Sequence, residues 1–345
     1  MKELSWQEEY RSAIRSHKEL ENYFNHTFSK TPFPILIPLG LAQKIKRSGI
    51  NSVLGKQFLP VENENCHKGF IDPIGDHDYS PVAGLVHRYK NRVLFFPTSN
   101  CPVICRYCFR KNELSTNDDL FKSNFKKVKE YLLQHSEVEE IIFSGGDPFI
   151  LSDEKIQYYL EEFKEIKSIK YIRFHTRTPV IIPTRFTNKL ISLLKTFKSV
   201  FVQLQIVVHI NHSDEIDLDV KHTLEKLDQA GITLLSQSVL LKGVNNDFSS
   251  LKDLIDALVS LNIRPYYLHH PDQVRGASHF NITLSEGRAV YAKLRDALPG
   301  WAIPTYIIDL PSGEGKTSAF NPESYNFSGQ FINKDGTIIP HKEPI

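Results

Sequence analysis

From residue 92 onward, short strand-like runs alternate with segments of helical periodicity, and this rhythm limits the folds open to the chain. Strands are predicted at Arg92–Pro97, Glu140–Ser144, Tyr171–His175, Val200–Val208, Ile232–Leu241, Pro265–His269 and Ile303–Ile308. The intervening segments place apolar residues on one helical face, as Ile156, Leu160 and Phe163 do. Such alternation favours a parallel sheet covered by helices, because parallel strands need crossover connections. An open doubly wound sheet and a complete or partial barrel share the rhythm, so both stay open.

Composition and charge narrow the class of partner. The chain has 345 residues, 41% hydrophobic and 24% charged, which is ordinary for a globular protein. A net charge of +2 gives no electrostatic argument for binding nucleic acid or an anionic membrane. No run approaches the ~18 apolar residues of a membrane helix, and charged residues stand where a signal peptide would be apolar. We therefore expect a cytoplasmic protein that acts on a small molecule; nothing in the sequence indicates its oligomeric state.

Three of the four cysteines stand close together, directly after the first predicted strand. Cys101, Cys105 and Cys108 form a CxxxCxxC pattern with an aromatic residue before the last cysteine. Three thiolates on a [4Fe–4S] cluster leave one iron without a protein ligand, and that iron can bind S-adenosylmethionine. The pattern is typical of radical S-adenosylmethionine enzymes. A structural zinc site, with His67 or another histidine as fourth ligand, is the alternative.

A second motif, Ser144-Gly145-Gly146-Asp147, ends the next predicted strand. Paired glycines allow a ligand to approach the backbone closely. The same residues would also form a tight turn between a strand and a helix. Since the carboxyl ends of parallel strands share one edge, the motif is expected near the cysteines.

Several sequence words together resemble the lysine 2,3-aminomutase family of radical S-adenosylmethionine enzymes. They are His87 to Phe95, Cys105 to Lys111, Phe143 to Pro148, Arg177 to Pro179, Gln237 to Asn245 and Pro304 to Asp309. The resemblance runs from about Tyr79 to Lys316. It implies an α/β fold, a partial (β/α)6 barrel of the TIM type, and two organic cofactors, S-adenosylmethionine and pyridoxal phosphate. We accordingly divide the chain into an N-terminal helical extension (1–80), the barrel (81–311) and a C-terminal segment (312–345) that includes the pyridoxal lysine.

The resemblance also implies roles for individual cofactor-binding residues. Lys316, after a turn containing glycines, matches the lysine that binds pyridoxal phosphate, although Ser312 and Glu314 interrupt the family's run of glycines. Arg88, Tyr89 and Arg92 match residues around pyridoxal phosphate. The methionine group of S-adenosylmethionine is matched by Ser144, Gly145, Gly146 and Asp147. His209 and Gln237 match residues near the adenosyl group.

The substrate is inferred from charge. Arg110 matches the family residue that binds the α-carboxylate, and a guanidinium suits that role. Asp272 and Asp309 match the aspartates that bind the side-chain ammonium in lysine enzymes. A glutamate side chain would be repelled there, so lysine fits best, with arginine and ornithine as alternatives.

The implied reaction is the conversion of L-lysine to β-lysine. An adenosyl radical would act on a substrate held as an external aldimine, and a flavodoxin or ferredoxin would reduce the cluster. The sequence mixes features of a branch that releases free β-lysine and a branch that serves elongation factor P, so the destination of the product stays open. A non-catalytic zinc or iron–sulfur protein is the alternative of a different class.

Overall fold

The computed structural model describes residues 5–114, 124–310, 313–320, 330–332 and 338–340. Nine strands form one sheet in sequence order, with β2 to β8 parallel and β1 and β9 antiparallel at its edges. The strands are β1 (Leu85–Tyr89), β2 (Arg92–Phe95), β3 (Glu140–Phe143), β4 (Tyr171–Thr176), β5 (Gln203–His209), β6 (Thr233–Val239), β7 (Arg264–His269), β8 (Thr305–Leu310) and β9 (Gly315–Ser318). Strands β10 (Gln330–Ile332) and β11 (Ile338–Pro340) form a separate antiparallel pair. All seven predicted strands are therefore present, as β2 to β8.

Six strand–helix units build the parallel part, and β8 follows the sixth. The helices are α1 (Trp6–Arg11), α2 (His17–Phe24), α3 (Leu39–Ser48), α4 (Val53–Phe58), α5 (Lys111–Leu114), α6 (Phe125–Gln134), α7 (Asp153–Lys164), α8 (Thr178–Ile181), α9 (Asn188–Lys198), α10 (Leu218–Gln229), α11 (Phe248–Ser260) and α12 (Leu284–Ala297). One of α6, α7, α9, α10, α11 and α12 lies in each crossover between consecutive parallel strands. The predicted partial (β/α)6 barrel is confirmed.

The sheet curls far enough to bring its two edge strands together. The backbone N–H of Lys316 in β9 donates a hydrogen bond of 2.8 Å to the Tyr89 hydroxyl of β1. A Cβ atom on Gly315 would lie 2.5 Å from the same hydroxyl, so glycine is needed for this close approach. The barrel is thus nearly closed at the point where Lys316 is held.

The main core lies between the strands and the helices that cover them. Phe95, Phe143 and Phe174 are fully buried there, and the rings of Phe143 and Phe174 stack at 4.5 Å. Full burial of such a side chain contributes about 1.5–3 kcal/mol to stability. On α7, Ile156, Leu160 and Phe163 all face this core, as their helical spacing predicts.

Helices α1 to α4, within residues 5–80, belong to a segment that packs against the cysteine loop. Ser5 and Glu8 make a capping box at the start of α1. The Ile104 N–H donates to the Leu36 carbonyl at 3.1 Å, and the Arg106 N–H donates to the Gln57 carbonyl at 2.9 Å. The N-terminal extension therefore fixes the path of the loop between the cysteines.

The predicted boundary between the barrel and the C-terminal segment lies at residues 311 and 312, which are outside the described ranges; residue 312 is the Ser312 named above. Beyond it, β9 is part of the barrel sheet, so Lys316 belongs to a strand. Most of the remaining C-terminal segment lies outside the described residues. Within the described ranges, no helix is both long enough and apolar enough to cross a membrane.

Candidate active site

One cavity of about 280 Å³ opens at the carboxyl ends of the parallel strands. Every residue that the sequence assigned to a cofactor, a metal or the substrate lines it: Arg88, Tyr89, Arg92, Cys101, Cys105, Cys108, Arg110, Ser144, Gly145, Gly146, Asp147, His209, Gln237, Asp272, Asp309 and Lys316. The structure thus brings together residues that are up to 228 positions apart, from Arg88 to Lys316 (316 − 88 = 228).

The three loop cysteines line the cavity with sulfur atoms, which are soft donors for a metal centre. Burial raises the pKa of the Cys108 thiol to about 11, with the nearby Cys105 adding to the effect. Burial also raises the pKa of Cys101 and Cys105. Thiolates in so buried a place need a metal centre to compensate their charge.

The number of available donors bears on the choice between a cluster and a single zinc ion. A structural zinc ion takes four protein ligands, so the three cysteines would need a fourth donor. A [4Fe–4S] cluster takes each of the three cysteines on a different iron and leaves one iron open. In the described part of the chain, the three possible ligands whose ligand atoms lie within 4.8 Å of one another are Asp72, His77 and Glu113, none of them a cysteine. His67, the candidate fourth zinc ligand, is exposed and does not line the cavity. The donor set fits the cluster better than zinc.

The Gly-Gly-Asp turn after β3 packs directly on the start of the cysteine loop. The Gly146 N–H donates to the Thr98 carbonyl and the Asp147 N–H to the Asn100 carbonyl, both at 2.8 Å. Gly145 has φ +99°, and a Cβ on Gly146 would lie 2.1 Å from the Asn100 carbonyl oxygen. Side chains are therefore excluded at both glycines.

Asp147 is occupied within the protein. Its carboxylate accepts hydrogen bonds from the Thr176 hydroxyl at 2.8 Å and from the Arg177 and Thr178 N–H groups at 2.7 and 3.1 Å. These bonds tie the end of β3 to the end of β4. The structure therefore gives Asp147 a part in shaping the cavity wall, while its predicted contact with a cofactor stays a prediction.

Lys316 faces Asp309 across the antiparallel ladder of β8 and β9. The two residues are direct partners in the register, and the Lys316 Nζ lies 2.6 Å from Asp309 Oδ1. The other carboxylate oxygen lies 3.5 Å from His269 Nδ1. Burial opposes ionisation of Asp309, but the hydrogen bond from His269 and the charge of Lys316 outweigh it and hold its pKa below the ordinary value.

Asp272 is the second carboxylate of the predicted pair, and it differs from Asp309 in its bonding partners and in its pKa. Among the described residues it makes no side-chain hydrogen bond and no ion pair. Burial and, to a smaller extent, the charge of Asp309 raise its pKa to about 7, against the opposing effect of Lys316. Asp272 is therefore an acceptor ready for a cation.

Two arginines share one buried aspartate beside the cysteines. Asp76 pairs with Arg110 at 2.6 Å and with Arg88 at 3.0 Å, and it is 1% exposed. Arg110 also donates to the Ser144 hydroxyl at 3.1 Å. The Nε atoms of both arginines are buried without a protein partner in the described structure. They keep donor capacity for an anionic ligand.

Other polar groups surround the Lys316 end of the cavity. The Arg92 guanidinium stacks on the Tyr89 ring at 3.8 Å. His175 Nε2 is buried with no partner among the described residues, and burial holds the His175 pKa well below its ordinary value. Arginine donors, a phenol and a neutral imidazole near a lysine are a set that fits pyridoxal phosphate, with its phosphate, ring and aldehyde.

His209 and Gln237 are neighbours on β5 and β6, where they form a register pair. His209 Nε2 lies 2.8 Å from the Tyr107 hydroxyl, and the two rings stack at 5.6 Å. Burial lowers the pKa of His209 well below its ordinary value. The imidazole is therefore neutral and, with Gln237, lines the part of the cavity near the cysteines.

Sequence reasoning assigned no role to several residues that the cavity or its wall contains: Asp76, Arg173, His175, Arg177, Tyr266 and His269. His175, Arg177 and His269 lie at the ends of predicted strands, which is a signal that could have identified them. Asp76 lies in a segment without clear periodicity, and the sequence shows no comparable signal for it.

Comparison with known proteins agrees with this geometry. The family model described as Radical SAM superfamily matches residues 95–255. L-lysine 2,3-aminomutase of Haemophilus influenzae is 37% identical, covering 83% of this chain and 84% of the relative. The L-lysine 2,3-aminomutases of Methanococcus maripaludis and Clostridium subterminale are 33% and 31% identical, covering 96% and 99% of this chain and 80% and 84% of each relative. Relatives this similar over most of both chains establish that the chain belongs to the lysine 2,3-aminomutase family of radical S-adenosylmethionine enzymes.

Proposed function

We propose that this chain converts L-lysine to β-lysine by a 2,3-shift of the amino group. The observation that supports the substrate most directly is the pair of carboxylates Asp272 and Asp309 in the same cavity as Arg110 and Lys316. The guanidinium of Arg110 and the two carboxylates in one cavity match an amino acid whose side chain ends in an ammonium group.

Arg110 binds the substrate carboxylate in this proposal. Its guanidinium is held by Asp76 and Ser144 and lies 4.4 Å from the Phe96 ring, so its direction is fixed. The buried Nε has no protein partner in the described structure and gains one when a carboxylate arrives. Fixed donors of this kind bind with little loss of conformational entropy.

Asp272 receives the side-chain ammonium. Asp309 already holds the amino group of Lys316 at 2.6 Å, so Asp272 is the carboxylate that still needs a cation. The same ion pair would form when substrate displaces the Lys316 amine from pyridoxal phosphate. Asp309 would then hold that amine in place and balance its positive charge. Lysine, ornithine and arginine all offer a cation to Asp272, and glutamate offers an anion.

The cofactors supply the difficult chemistry when they are bound: the cluster and S-adenosylmethionine provide an adenosyl radical, and pyridoxal phosphate provides a conjugated group for the migrating nitrogen. Cys101, Cys105 and Cys108 would hold the cluster, and Ser144 to Asp147 would shape the methionine site. His209 and Gln237 would contact the adenosyl group. Arg88, Tyr89, Arg92 and Lys316 would hold pyridoxal phosphate.

Two further predictions from sequence belong to this proposal. A flavodoxin or ferredoxin would supply the electron to the cluster, and the protein would act in the cytoplasm. Both fit a radical enzyme with reduced cysteines. The destination of the product, as free β-lysine or for elongation factor P, is not part of the proposal.

The test is a substrate panel on protein reconstituted anaerobically with iron, sulfide and pyridoxal phosphate. L-Lysine, L-ornithine, L-arginine and L-glutamate are incubated with S-adenosylmethionine and a reductant, and the position of the amino group in each product is determined by mass spectrometry. We expect lysine to be converted with the highest kcat/KM and glutamate not at all. The matched control, Asp272→Asn, should retain the cluster and lose most of the preference for lysine. Preference for glutamate, or zinc binding without deoxyadenosine formation, would refute the proposal.

A further inference from the structure

Arg177 follows β4 and reaches toward the cysteine loop. One of its terminal nitrogens, Nη1, donates to Cys105 Sγ at 3.3 Å. The guanidinium lies near the rings of Phe58 and Tyr107, at 4.7 and 5.4 Å. Arg177 is only 6% exposed. A buried, fixed cation therefore stands against one of the proposed cluster ligands.

A buried polar network holds this cation from the opposite side. Arg177 Nη2 lies 2.5 Å from Glu215 Oε2 and 2.8 Å from Gln57 Oε1. Glu215 is fixed in turn, since its Oε1 accepts the N–H groups of Asn211 and His212 at 2.9 and 3.0 Å. The order of charges is thus sulfur, guanidinium, carboxylate.

Packing alone does not account for this buried network of Arg177, Glu215 and Gln57. An ion pair taken out of water is costly, and well-packed apolar residues are often as stable in its place. Elsewhere the chain uses a buried arginine in a purely structural way: Arg185 bonds Asp153 at 2.7 Å and does not line the cavity. Arg177 differs because one of its donors is spent on a thiol sulfur.

We propose that Arg177, oriented by Glu215 and Gln57, is a positioning residue that raises the reduction potential of the cluster bound by Cys105. The inference rests on the proposed function, because it takes Cys105 to be a cluster ligand. Reduction adds one electron, from a one-electron donor, to the oxidised [4Fe–4S]²⁺ cluster and gives the 1+ state, so the negative charge on the sulfurs increases. A cation and an N–H···S bond stabilise the reduced state more than the oxidised state, and such bonds are known to set cluster potentials.

The two charges that follow the Cys105 sulfur in this order, on Arg177 and then on Glu215, affect the potential with opposite signs. Replacing Arg177 by glutamine removes the cation and lowers the potential. Replacing Glu215 by glutamine removes the anion behind the cation and raises the potential. A purely structural disturbance would give no such reversal of sign between two neighbouring substitutions.

The experiment is a redox titration of the reconstituted full-length protein, followed by the electron paramagnetic resonance signal of the reduced cluster. For Arg177→Gln we expect the one-electron reduction constant to fall at least tenfold, which is a drop of ~59 mV in midpoint potential. For Glu215→Gln we expect a rise. Arg177→Lys keeps the charge without the guanidinium fork and should fall between wild type and Arg177→Gln.

Two variants separate this effect from folding. Arg185→Gln removes a buried arginine that does not line the cavity and, in the part of the chain that the structure describes, has no bond to a cysteine, and its potential should equal that of wild type. The double variant Arg177→Gln/Glu215→Gln avoids an unpaired buried carboxylate, and its potential should lie between those of the single variants. Equal potentials for wild type, Arg177→Gln and Glu215→Gln, or shifts of the same sign, would overturn the inference while leaving the proposed function intact. A wild-type protein that takes up no cluster would overturn both.

Discussion

Replacing Asp272 by asparagine should reduce lysine turnover by an amount that depends on pH. Burial and the neighbouring charge of Asp309 raise the pKa of Asp272 to about 7 in the substrate-free protein. Only the ionised carboxylate attracts the ammonium of lysine, whose own pKa of about 10.4 keeps it charged. With a pKa of about 7, about one tenth of the protein has the ionised form at pH 6 and about nine tenths at pH 8.

The size of the expected decrease in kcat/KM follows from the hydrogen bond between Asp272 and the substrate ammonium that is lost. A hydrogen bond to a charged group is worth about 1.5–3 kcal/mol, so at pH 8 kcat/KM for lysine should fall about 10- to 150-fold in Asp272→Asn. At pH 6 the wild type is itself mostly protonated at this position. The ratio of wild type to variant should therefore shrink about tenfold between pH 8 and pH 6.

The assay is kcat/KM for L-lysine in wild type and Asp272→Asn, measured on cofactor-loaded protein at intervals from pH 6 to pH 8.5. Taking the ratio cancels other titrations, because both proteins share the cofactors and His269. Binding of lysine at pH 7 should also release about half a proton more in wild type than in the variant, measurable by calorimetry in two buffers of different ionisation enthalpy. A ratio that stays constant across this pH range would show that Asp272 does not receive the ammonium group.

Three other substitutions test separate parts of the site. Lys316→Ala should abolish the absorbance band of bound pyridoxal phosphate while leaving the cluster spectrum in place; a persisting band would move the cofactor to another lysine. Arg110→Lys should raise KM for lysine about 10- to 150-fold, the loss of one charge-assisted hydrogen bond, with a smaller effect on kcat in steady-state assays. Gly146→Ala should destabilise the protein by about 1–3 kcal/mol in thermal or denaturant unfolding and lower its iron content, because the new methyl group meets the Asn100 carbonyl at 2.1 Å; wild-type stability and iron content would contradict the close packing of the turn.

Strands β2 to β8 were predictable because each is a short apolar run whose length and spacing depend on local sequence, whereas the antiparallel edge strands β1 and β9 were not predicted. The cysteine pattern was predictable for a similar reason, since three ligands within eight residues need no knowledge of the fold. Asp76 was not predictable, because its importance comes from two arginines that lie 12 and 34 positions away in the chain. The hydrogen bond from Arg177 to Cys105 likewise joins residues 72 positions apart. Only the folded sheet places such residues in contact.

In the proposed function, the pairing of charges in the cavity leaves one carboxylate, that of Asp272, for the substrate. Asp76 is committed to Arg88 and Arg110, and Asp309 is committed to Lys316. Because burying a single charge is costly, each of these pairs is stable without a ligand, whereas Asp272 lowers its cost by taking up a proton. A substrate ammonium replaces that proton. The positive charge of the ammonium is then balanced by the negative charge that Asp272 gains when the proton leaves. A neutral side chain would leave Asp272 protonated and gain no ion pair, and an anionic side chain would face Asp309 as well. The proposed selectivity for a cationic amino acid therefore follows because Asp272 is the carboxylate left without a partner. It does not depend on the length of the substrate side chain.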